Sequence, residues 1–328
     1  MQELQLIAEA LARPGSTPAA LATLVAVTGS SYRRPGARLL LTAGGSRLGS
    51  VSGGCLEEDV LARAARVLMT GVAEAAVYDT TSENDLVWGV GLGCHGVVQV
   101  LLERLAARPL WATTLSLHLL ARRPTKLVVD WKNPEPSMHG TRLPTGTAAD
   151  RDTFQQTIYA PDALFVFGAG EDARPLVRLA KEIGWWVTVA DPRPAFATEA
   201  RFPEADRVIC GHSDTLVRDI NPEAGAIAVV MTHHYVHDLP ILGALLQRQL
   251  VYVGLLGPKK RAERILADLQ SGGLAITPEH RARLHAPVGL DLGAETPEEV
   301  ALAIVAEIQA TLTTRNARPL RERNAPIH

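Results

Sequence analysis

The sequence predicts an α/β protein with two domains, of which the second contains a doubly wound parallel sheet. The chain has 328 residues, 47% of them hydrophobic, which is enough for two cores of ordinary size. Segments typical of strands and helices alternate in the second half, and a glycine-rich turn follows the first strand of that half. Because such alternation is typical of parallel strands joined by helices, we expect a doubly wound sheet there.

We divide the chain into four parts. Residues 1–120 form an N-terminal α/β domain with two glycine-rich loops that each carry a cysteine. Residues 121–160 contain few signals of regular structure, so we interpret them as a variable connection. The doubly wound domain spans residues 161–312, and a polar tail spans residues 313–328.

The N-terminal domain contains a long helix directly after its first cysteine. Its predicted elements are a helix at 4–12, a helix start at Pro18 that becomes a strand ending at Thr28, a strand at Ala37–Leu41, a short second strand, a helix at Leu56–Met69, and strands at Ala75–Asp79 and Val97–Glu103. Three acids follow Leu56, where the dipole of a helix favours them. Cys55 is therefore predicted at a helix N-terminus, and Cys94 on the loop between the last two strands.

The second domain alternates five apolar strands with helical patterns. The strands are predicted at Leu164–Phe167, Trp186–Ala190, Arg207–Cys210, Ala226–Thr232 and Val251–Leu255. A last helix is predicted at Pro297–Thr311, with Thr296 as its N-cap and Glu299 completing a capping box.

Composition excludes several classes of protein. The net charge of −2 gives no excess of basic residues for a nucleic acid, and no stretch is apolar enough to span a membrane. The first fourteen residues carry acids and lack the apolar core of a signal peptide. Three cysteines without disulfide-framework spacing are typical of a reducing compartment, so we expect a cytoplasmic protein.

Gly168–Ala173 matches the G-x-G-x-x-A turn of Rossmann-type nucleotide-binding units, directly after a strand and before a helix. Gly168 permits the tight turn and Gly170 lets backbone approach a diphosphate. Asp191 lies 21 residues after Gly170, at a strand end where an acid binds a ribose hydroxyl. Packing alone also explains such glycines, and the two acids Glu171 and Asp172 would repel a diphosphate.

The two cysteine loops are candidates for chemistry. A helix N-terminus favours the thiolate, so Cys55 is a candidate nucleophile or metal ligand, and Cys94 is a candidate for the same site. Glycines beside them, Gly53, Gly54 and Gly93, would let a ligand approach the backbone. Cys210 lies on a predicted strand, and we interpret it as a small buried apolar residue.

Two further groups of side chains have competing interpretations. Arg33 and Arg34, with Arg38, either bind a phosphate or are solvated surface charges. His233 and His237 would share a face if a helix began before them, which raises a metal hypothesis, but no glutamate lies between them as in the H-E-x-x-H zinc pattern. Asp238 is predicted to cap the helix that follows.

Long motifs across nearly the whole chain resemble the XdhC/CoxI family. In the first half these are Gly29–Ala37, Gly49–Glu57 and Gly91–Cys94. In the second half they are Phe167–Gly170, Asp191–Arg193, Met231–His233, Tyr252–Arg261, Pro287–Pro297, Leu320–Arg323 and Pro326–His328. His95 departs from the pattern, which favours asparagine or another small polar residue there.

The resemblance implies an accessory protein that binds molybdenum cofactor, supports its sulfuration and inserts it into a molybdenum hydroxylase of the xanthine or carbon monoxide dehydrogenase type. It implies a cofactor chaperone more than a free-standing enzyme, with an apo-hydroxylase, a cysteine desulfurase and a second copy of the chain as partners. The cofactor would be molybdopterin or its dinucleotide, with Cys55 and Cys94 as molybdenum contacts. The other cofactor-binding residues would be Ser30, Arg33, Arg34, Gly53, Gly54, Gly93, Gly168, Gly170, Asp191 and His233.

Two other functions remain open on the sequence alone. The glycine turn and Asp191 also predict an NAD(P)-dependent oxidoreductase, for which only His233 offers an acid or base beside the cofactor. A purely architectural adaptor would dock an apo-enzyme and a desulfurase, and would use both glycine motifs for packing.

Overall fold

The computed structural model describes residues 2–79, 96–133, 135, 138–146 and 153–324. The chain forms two compact units, Met1–Ala160 and Pro161–His328. No helix within the described ranges is both long and apolar enough to cross a membrane.

The first unit is built on a five-stranded antiparallel sheet with the order β3-β2-β1-β5-β4. A second sheet of three strands has the order β7-β6-β8. The elements are α1 (Gln2–Ala12), β1 (Ala19–Gly29), β2 (Arg38–Thr42), β3 (Arg47–Gly49), α2 (Glu57–Thr70), β4 (Glu74–Asp79), β5 (Gly96–Leu105), α3 (Leu110–Leu120), β6 (Thr125–Asp130), β7 (Gly140–Arg142) and β8 (Phe154–Ile158).

The central strand β1 is buried on both faces, which explains its unbroken apolar run. Ala20, Ala22 and Leu24 belong to the core that contains the buried face of α2. Ala19 and Leu21 point the other way, into the core formed by α1 and α3. The predicted helix start at Pro18 is therefore wrong, because the whole segment from Ala19 onward pairs with β2 and β5.

A buried pair of opposite charges lies between the two sheets of the first unit. Arg38 on β2 donates to Gln156 on β8 at 2.8 Å, and Glu103 on β5 accepts from the hydroxyl of Thr141 on β7 at 2.5 Å. Burial lowers the pKa of Arg38 to about 10 and raises that of Glu103, and the attraction between the two charges opposes both shifts. These contacts tie the three-stranded sheet to the first sheet, so residues 121–160 contain three strands where the sequence predicts a connection with few regular elements.

The second unit confirms the predicted doubly wound architecture. Its six strands are parallel and follow the order β11-β10-β9-β12-β13-β14, with an apolar core on each face. The elements are β9 (Ala163–Phe167), α4 (Ala173–Glu182), β10 (Trp186–Asp191), β11 (Arg207–Cys210), α5 (Ser213–Ile220), β12 (Ile227–Val230), α6 (Tyr235–Leu246), β13 (Tyr252–Leu255), α7 (Lys259–Ser271), α8 (Pro278–Arg283), β14 (Leu284–His285) and α9 (Pro297–Leu312). The strand order reverses between β9 and β12, and ligands of such sheets bind at that point, beyond the carboxyl ends of the strands.

Local signals at the end of the second unit are confirmed in part. Thr296 caps α9 and forms a capping box with Glu299, as predicted. The short strand β14 is not among the predicted elements, and the tail contains a 3-10 helix at Leu320–Glu322.

Candidate functional site

The Cys55 thiol is exposed on a loop that ends where α2 begins. The loop is organised by Ser52, whose hydroxyl oxygen accepts the backbone N–H groups of Gly54 and Leu56, each at 3.1 Å. The Cys55 sulfur lies 3.5 Å from the same oxygen. The predicted position of Cys55 at a helix N-terminus is confirmed, and the thiol projects from a loop whose backbone is fixed.

The Glu57 carboxylate anchors this loop from within α2. It accepts the backbone N–H of Ser52 at 2.8 Å, and the Ser52 hydroxyl donates to its other oxygen. Partial burial acts to raise the pKa of Glu57, but the hydrogen bonds from Ser52 and from nearby backbone amides outweigh it and lower the pKa. A charged carboxylate therefore holds the loop, while Cys55 stays accessible.

The two glycines before Cys55 have different surroundings. Gly54 has a φ of +113°, and a β-carbon there would meet no atom within 4 Å among the described residues. A β-carbon at Gly53 would lie 3.3 Å from the ring of Tyr32, whose side chain is exposed. Among the described residues, the loop thus has no neighbour over Gly54 and an aromatic ring over Gly53.

Arg33 is engaged with the first helix. Its guanidinium pairs with both carboxylate oxygens of Glu3 on α1 and donates to the Ser50 hydroxyl at 3.2 Å. An anion would have to displace Glu3 to bind Arg33, so the geometry favours a packing role over phosphate binding. Arg34 and Ser30 are exposed, and the predicted site residues Gly93 and Cys94 lie outside the described residues.

The glycine turn of the second unit fits tightly against the end of β12. Gly168 has a φ of +127°, and a β-carbon there would lie 2.4 Å from the carbonyl oxygen of Met231. Only glycine permits this backbone approach. The turn therefore lies beside the residues that follow β12, at the point where the strand order reverses.

Asp191 lies at the end of β10, as predicted, but its carboxylate already accepts several hydrogen bonds. It accepts from the Ala169 backbone at 2.7 Å and from the Arg193 side chain at 2.8 and 2.7 Å. Burial acts to raise the pKa of Asp191, but the bonds from Arg193 and Ala169 outweigh it and lower the pKa. The carboxylate fixes the glycine turn, and a ribose hydroxyl would have to compete with these donors.

The two acids of the glycine turn are paired with cations or a histidine. Glu171 pairs with Arg174 at 3.0 Å and with Arg201 at 2.9 Å, and Asp172 lies 2.6 Å from His233 Nε2. Arg174 and Arg201 offset the negative charge of Glu171, and His233 donates a hydrogen bond to Asp172.

The histidines near α6 do not form one cluster. The helix begins at Tyr235, so His233 precedes it, and His237 lies 2.8 Å from the Ser213 hydroxyl instead. No group of three or more metal-ligating side chains occurs in the part of the chain that the structure describes. Asp238 lies within α6 rather than at its cap, and its buried carboxylate pairs with Arg261.

The interpretation of Cys210 as a buried core residue is wrong. Cys210 ends β11, the edge strand of the six-stranded sheet, and its side chain is exposed. An edge strand at this position lacks a neighbour on one side, so its last residue remains accessible to solvent.

Ser52, Glu57 and Asp172, which contribute contacts to the two loops, were not among the predicted site residues. Ser52 and Glu57 contact each other across one turn of chain, and Asp172 reaches a histidine 61 residues away. Among these supporting contacts, the pairing of Asp191 with Arg193 was the one with a signal in the sequence, because an acid and an arginine two residues apart can pair locally.

Comparisons with known proteins agree across both units. The model of the XdhC and CoxI family matches residues 12–79, and the model of the XdhC Rossmann domain matches residues 164–308. A Bacillus subtilis protein described as a probable subunit of xanthine dehydrogenase is 36% identical and covers 89% of this chain and 93% of its own length. The Escherichia coli molybdenum cofactor insertion chaperone PaoD is 26% identical, over 88% of this chain and 82% of that protein.

A solved structure has the same arrangement of elements. The crystal structure of a protein described as a xanthine dehydrogenase from Bacillus halodurans is 31% identical, with a TM-score of 0.82 over 98% of this chain and 99% of that chain.

Proposed function

The chain belongs to the XdhC and CoxI family, and on that premise we propose that it binds molybdenum cofactor and inserts it into an apo molybdenum hydroxylase. The relative PaoD is described as a molybdenum cofactor insertion chaperone, which supports this role. The cofactor is cargo in this proposal, held for a time and then released to the client enzyme.

The exposed Cys55 thiol carries the proposal. Ser52 and Glu57 fix the loop backbone, so the thiol is presented to solvent in a defined position. Thiolates are soft ligands that suit metal centres with sulfur coordination. No atom of the described residues lies within 4 Å of a β-carbon placed on Gly54, which supports room for a ligand beside the sulfur.

The test is cofactor content after purification from a host that makes molybdenum cofactor. We expect the wild-type chain to copurify with molybdenum and pterin, and Cys55→Ala to lose most of both. Cys210→Ala is the matched control, because Cys210 is also exposed but lies in the second unit. Equal molybdenum and pterin in the wild type and Cys55→Ala would overturn the proposed role of Cys55.

Transfer to a client is the second part of the proposal. Mixing the loaded chain with an apo-hydroxylase should restore hydroxylase activity and empty the chain of molybdenum. If cofactor stays on the chain while a complex forms, the architectural adaptor explains the protein better.

Sulfuration is the third part, with a cysteine desulfurase as donor. The Cys55 thiolate would attack the outer sulfur of the desulfurase persulfide, which forms a persulfide on Cys55 and releases the desulfurase thiolate. Mass spectrometry of the isolated chain after incubation with desulfurase and cysteine should show one added sulfur on Cys55. An unmodified Cys55 under conditions that load a known acceptor would exclude this step.

The alternative, an NAD(P)-dependent oxidoreductase, rests on the glycine turn. The competing donors on Asp191 disfavour the usual ribose contact. Calorimetric titration with NADH and NADPH tests this alternative.

We also propose a cytoplasmic homodimer, for which light scattering of the purified chain gives the mass in solution.

A further inference from the structure

His233 follows β12 in a backbone conformation that is uncommon for residues other than glycine. Its φ is +62°, in the left-handed region. Residues held in this region cost free energy and persist where the surroundings enforce them, often at binding sites. The side chain of His233 is 54% exposed, so burial of the imidazole does not explain the conformation.

A network from three elements holds the His233 backbone in place. The Thr232 hydroxyl accepts the His234 backbone N–H at 3.1 Å and donates to the Asp238 carboxylate of α6 at 2.5 Å. Arg261 of α7 pairs with the other oxygen of Asp238 and donates to the carbonyl of His233 at 3.3 Å. Asp238 is fully buried, so these bonds are shielded from water, while the imidazole itself stays exposed.

The imidazole points to the glycine turn. Its Nε2 lies 2.6 Å from the carboxylate of Asp172, which makes no capping bond to its own helix α4. A carboxylate accepts only, so the pair favours the tautomer with the proton on Nε2. Nδ1 then carries a lone pair, and it has no hydrogen-bond partner among the residues that the structure describes.

The position of the pair indicates which part of a ligand it would meet. Gly168 contacts the backbone of Met231 and Thr232, so His233 lies next to the turn that faces a diphosphate. Strand order reverses between β9 and β12, where the part of a dinucleotide beyond the diphosphate lies. The usual sugar acceptor, Asp191, is occupied by Arg193 and the Ala169 backbone.

We propose that Asp172 and His233 form a binding pair for the group that a nucleotide carries beyond its diphosphate, with His233 Nδ1 accepting a hydrogen bond from an O–H or N–H of that group. Asp172 is a positioning residue that fixes the tautomer of the imidazole. The proposal deepens the proposed function, because it assigns the second unit to the nucleotide end of a dinucleotide cofactor and to the group attached there.

The group beyond the diphosphate could be a ribose or a pterin, and two measurements on the full chain distinguish them. Calorimetry with ADP and with ADP-ribose probes a ribose hydroxyl beyond the diphosphate. Pterin content after purification probes a pterin attached at the same place. If the group is a ribose, we expect His233→Ala to weaken the affinity for ADP-ribose by about 3- to 10-fold, as for one hydrogen bond, and to leave the affinity for ADP unchanged. If the group is a pterin, we expect the same variant to lower the pterin content. His234→Ala, which removes an adjacent exposed imidazole, is the matched control.

Asp172→Asn tests the positioning role separately. The amide can donate to Nε2, which moves the proton to Nδ1 and removes the acceptor. The ¹⁵N shifts of the His233 ring should report this change of tautomer, together with the same loss of binding.

The proposal is overturned if His233→Ala changes neither the ratio of ADP-ribose to ADP affinity nor the pterin content, including the case in which no nucleotide binds. Unchanged ¹⁵N shifts of the His233 ring in both Asp172→Asn and Asp172→Ala, the second of which removes every acceptor, overturn the role of Asp172. Cofactor retained by Cys55→Ala would count against the cysteine role alone, and the His233 measurements would still decide the present proposal.

Discussion

The glycine loop that ends at Cys55 and the glycine turn Gly168–Ala173 are built alike, but they expose different groups. Each precedes a helix, and in each a carboxylate accepts a backbone N–H of the loop: Glu57 accepts that of Ser52, and Asp191 that of Ala169. In the first loop the carboxylate is held by a hydroxyl and amides. In the second it is buried and also pairs with Arg193.

The difference lies in the remaining side chains. The first loop leaves Cys55 exposed, whereas the polar side chains of the second turn pair with Arg174, Arg201 or His233. A loop that presents a reactive atom needs its backbone fixed and its reactive side chain accessible. A turn that presents backbone amides needs its charges balanced nearby. The comparison therefore separates a loop that exposes a thiol from a turn whose charged side chains are paired.

Adding a methyl group to each loop gives the largest expected difference. Gly168→Ala would place a β-carbon 2.4 Å from the Met231 carbonyl in addition to the unfavourable φ, so we expect it to lower the free energy of unfolding by about 4 kcal/mol. In Gly54→Ala the new β-carbon would meet no atom of the described residues, so the free energy of unfolding should fall by only about 1 kcal/mol, for the unfavourable φ. Chemical denaturation of the full chain measures both, and equal losses would show that the two loops are packed alike.

Removing the charge of each anchoring carboxylate gives a smaller difference. Asp191→Asn leaves Arg193 without its buried partner, and we expect a loss of about 3 kcal/mol. Glu57 is partly exposed and pairs with no cation of the described residues, so Glu57→Gln should lower the free energy of unfolding by about 1 kcal/mol. A larger loss from Glu57→Gln would contradict the ranking of the two anchors.

The same two carboxylates predict the response to acid. The pKa of Asp191 and the pKa of Glu57 are both lowered in the folded chain, so each contributes stability above its unfolded pKa that is lost as pH falls through the folded one. Below about pH 4 the wild type should therefore lose stability more steeply than Asp191→Asn. Thermal melting across this range measures the slope, and parallel curves would refute the assignment.

The exposed pairs of the glycine turn give the smallest effect. Glu171→Gln removes a solvated carboxylate that contacts two arginines, and such surface pairs contribute little to stability. We expect no measurable change in Tm. A clear drop would mean that Glu171 holds the turn together with Asp191.

Local patterns predicted most of the second unit correctly. The strands β9, β10 and β11, the helix α4 and the capping box of α9 depend on short-range sequence, and all are confirmed. Prediction failed where partners are distant in sequence. Asp238 looks like a helix cap locally, yet it pairs with Arg261, 23 residues later.

Prediction of the candidate sites also failed for contacts between residues that are distant in sequence. The sequence located Cys55 at the start of a helix and Asp191 at the end of a strand, but it could not show which donors Asp191 meets. It also could not show that β11 is an edge strand, which decides the exposure of Cys210. Residues 121–160 were misjudged because the contacts that tie their strands to the first sheet are distant in sequence: Arg38 contacts Gln156, and Glu103 contacts Thr141.

The pairing of β1 with β5 has a consequence for synthesis of the chain. Ala19 pairs with Leu105, and α2, which begins just after Cys55, packs in a core that includes residues of both strands. On the ribosome, β5 is completed about 50 residues after Cys55, which takes roughly 3 to 10 s at ordinary rates of translation. During that interval the nascent thiol has no finished domain around it. A reducing environment at the ribosome would therefore protect the reactive group before the fold can hold it in place.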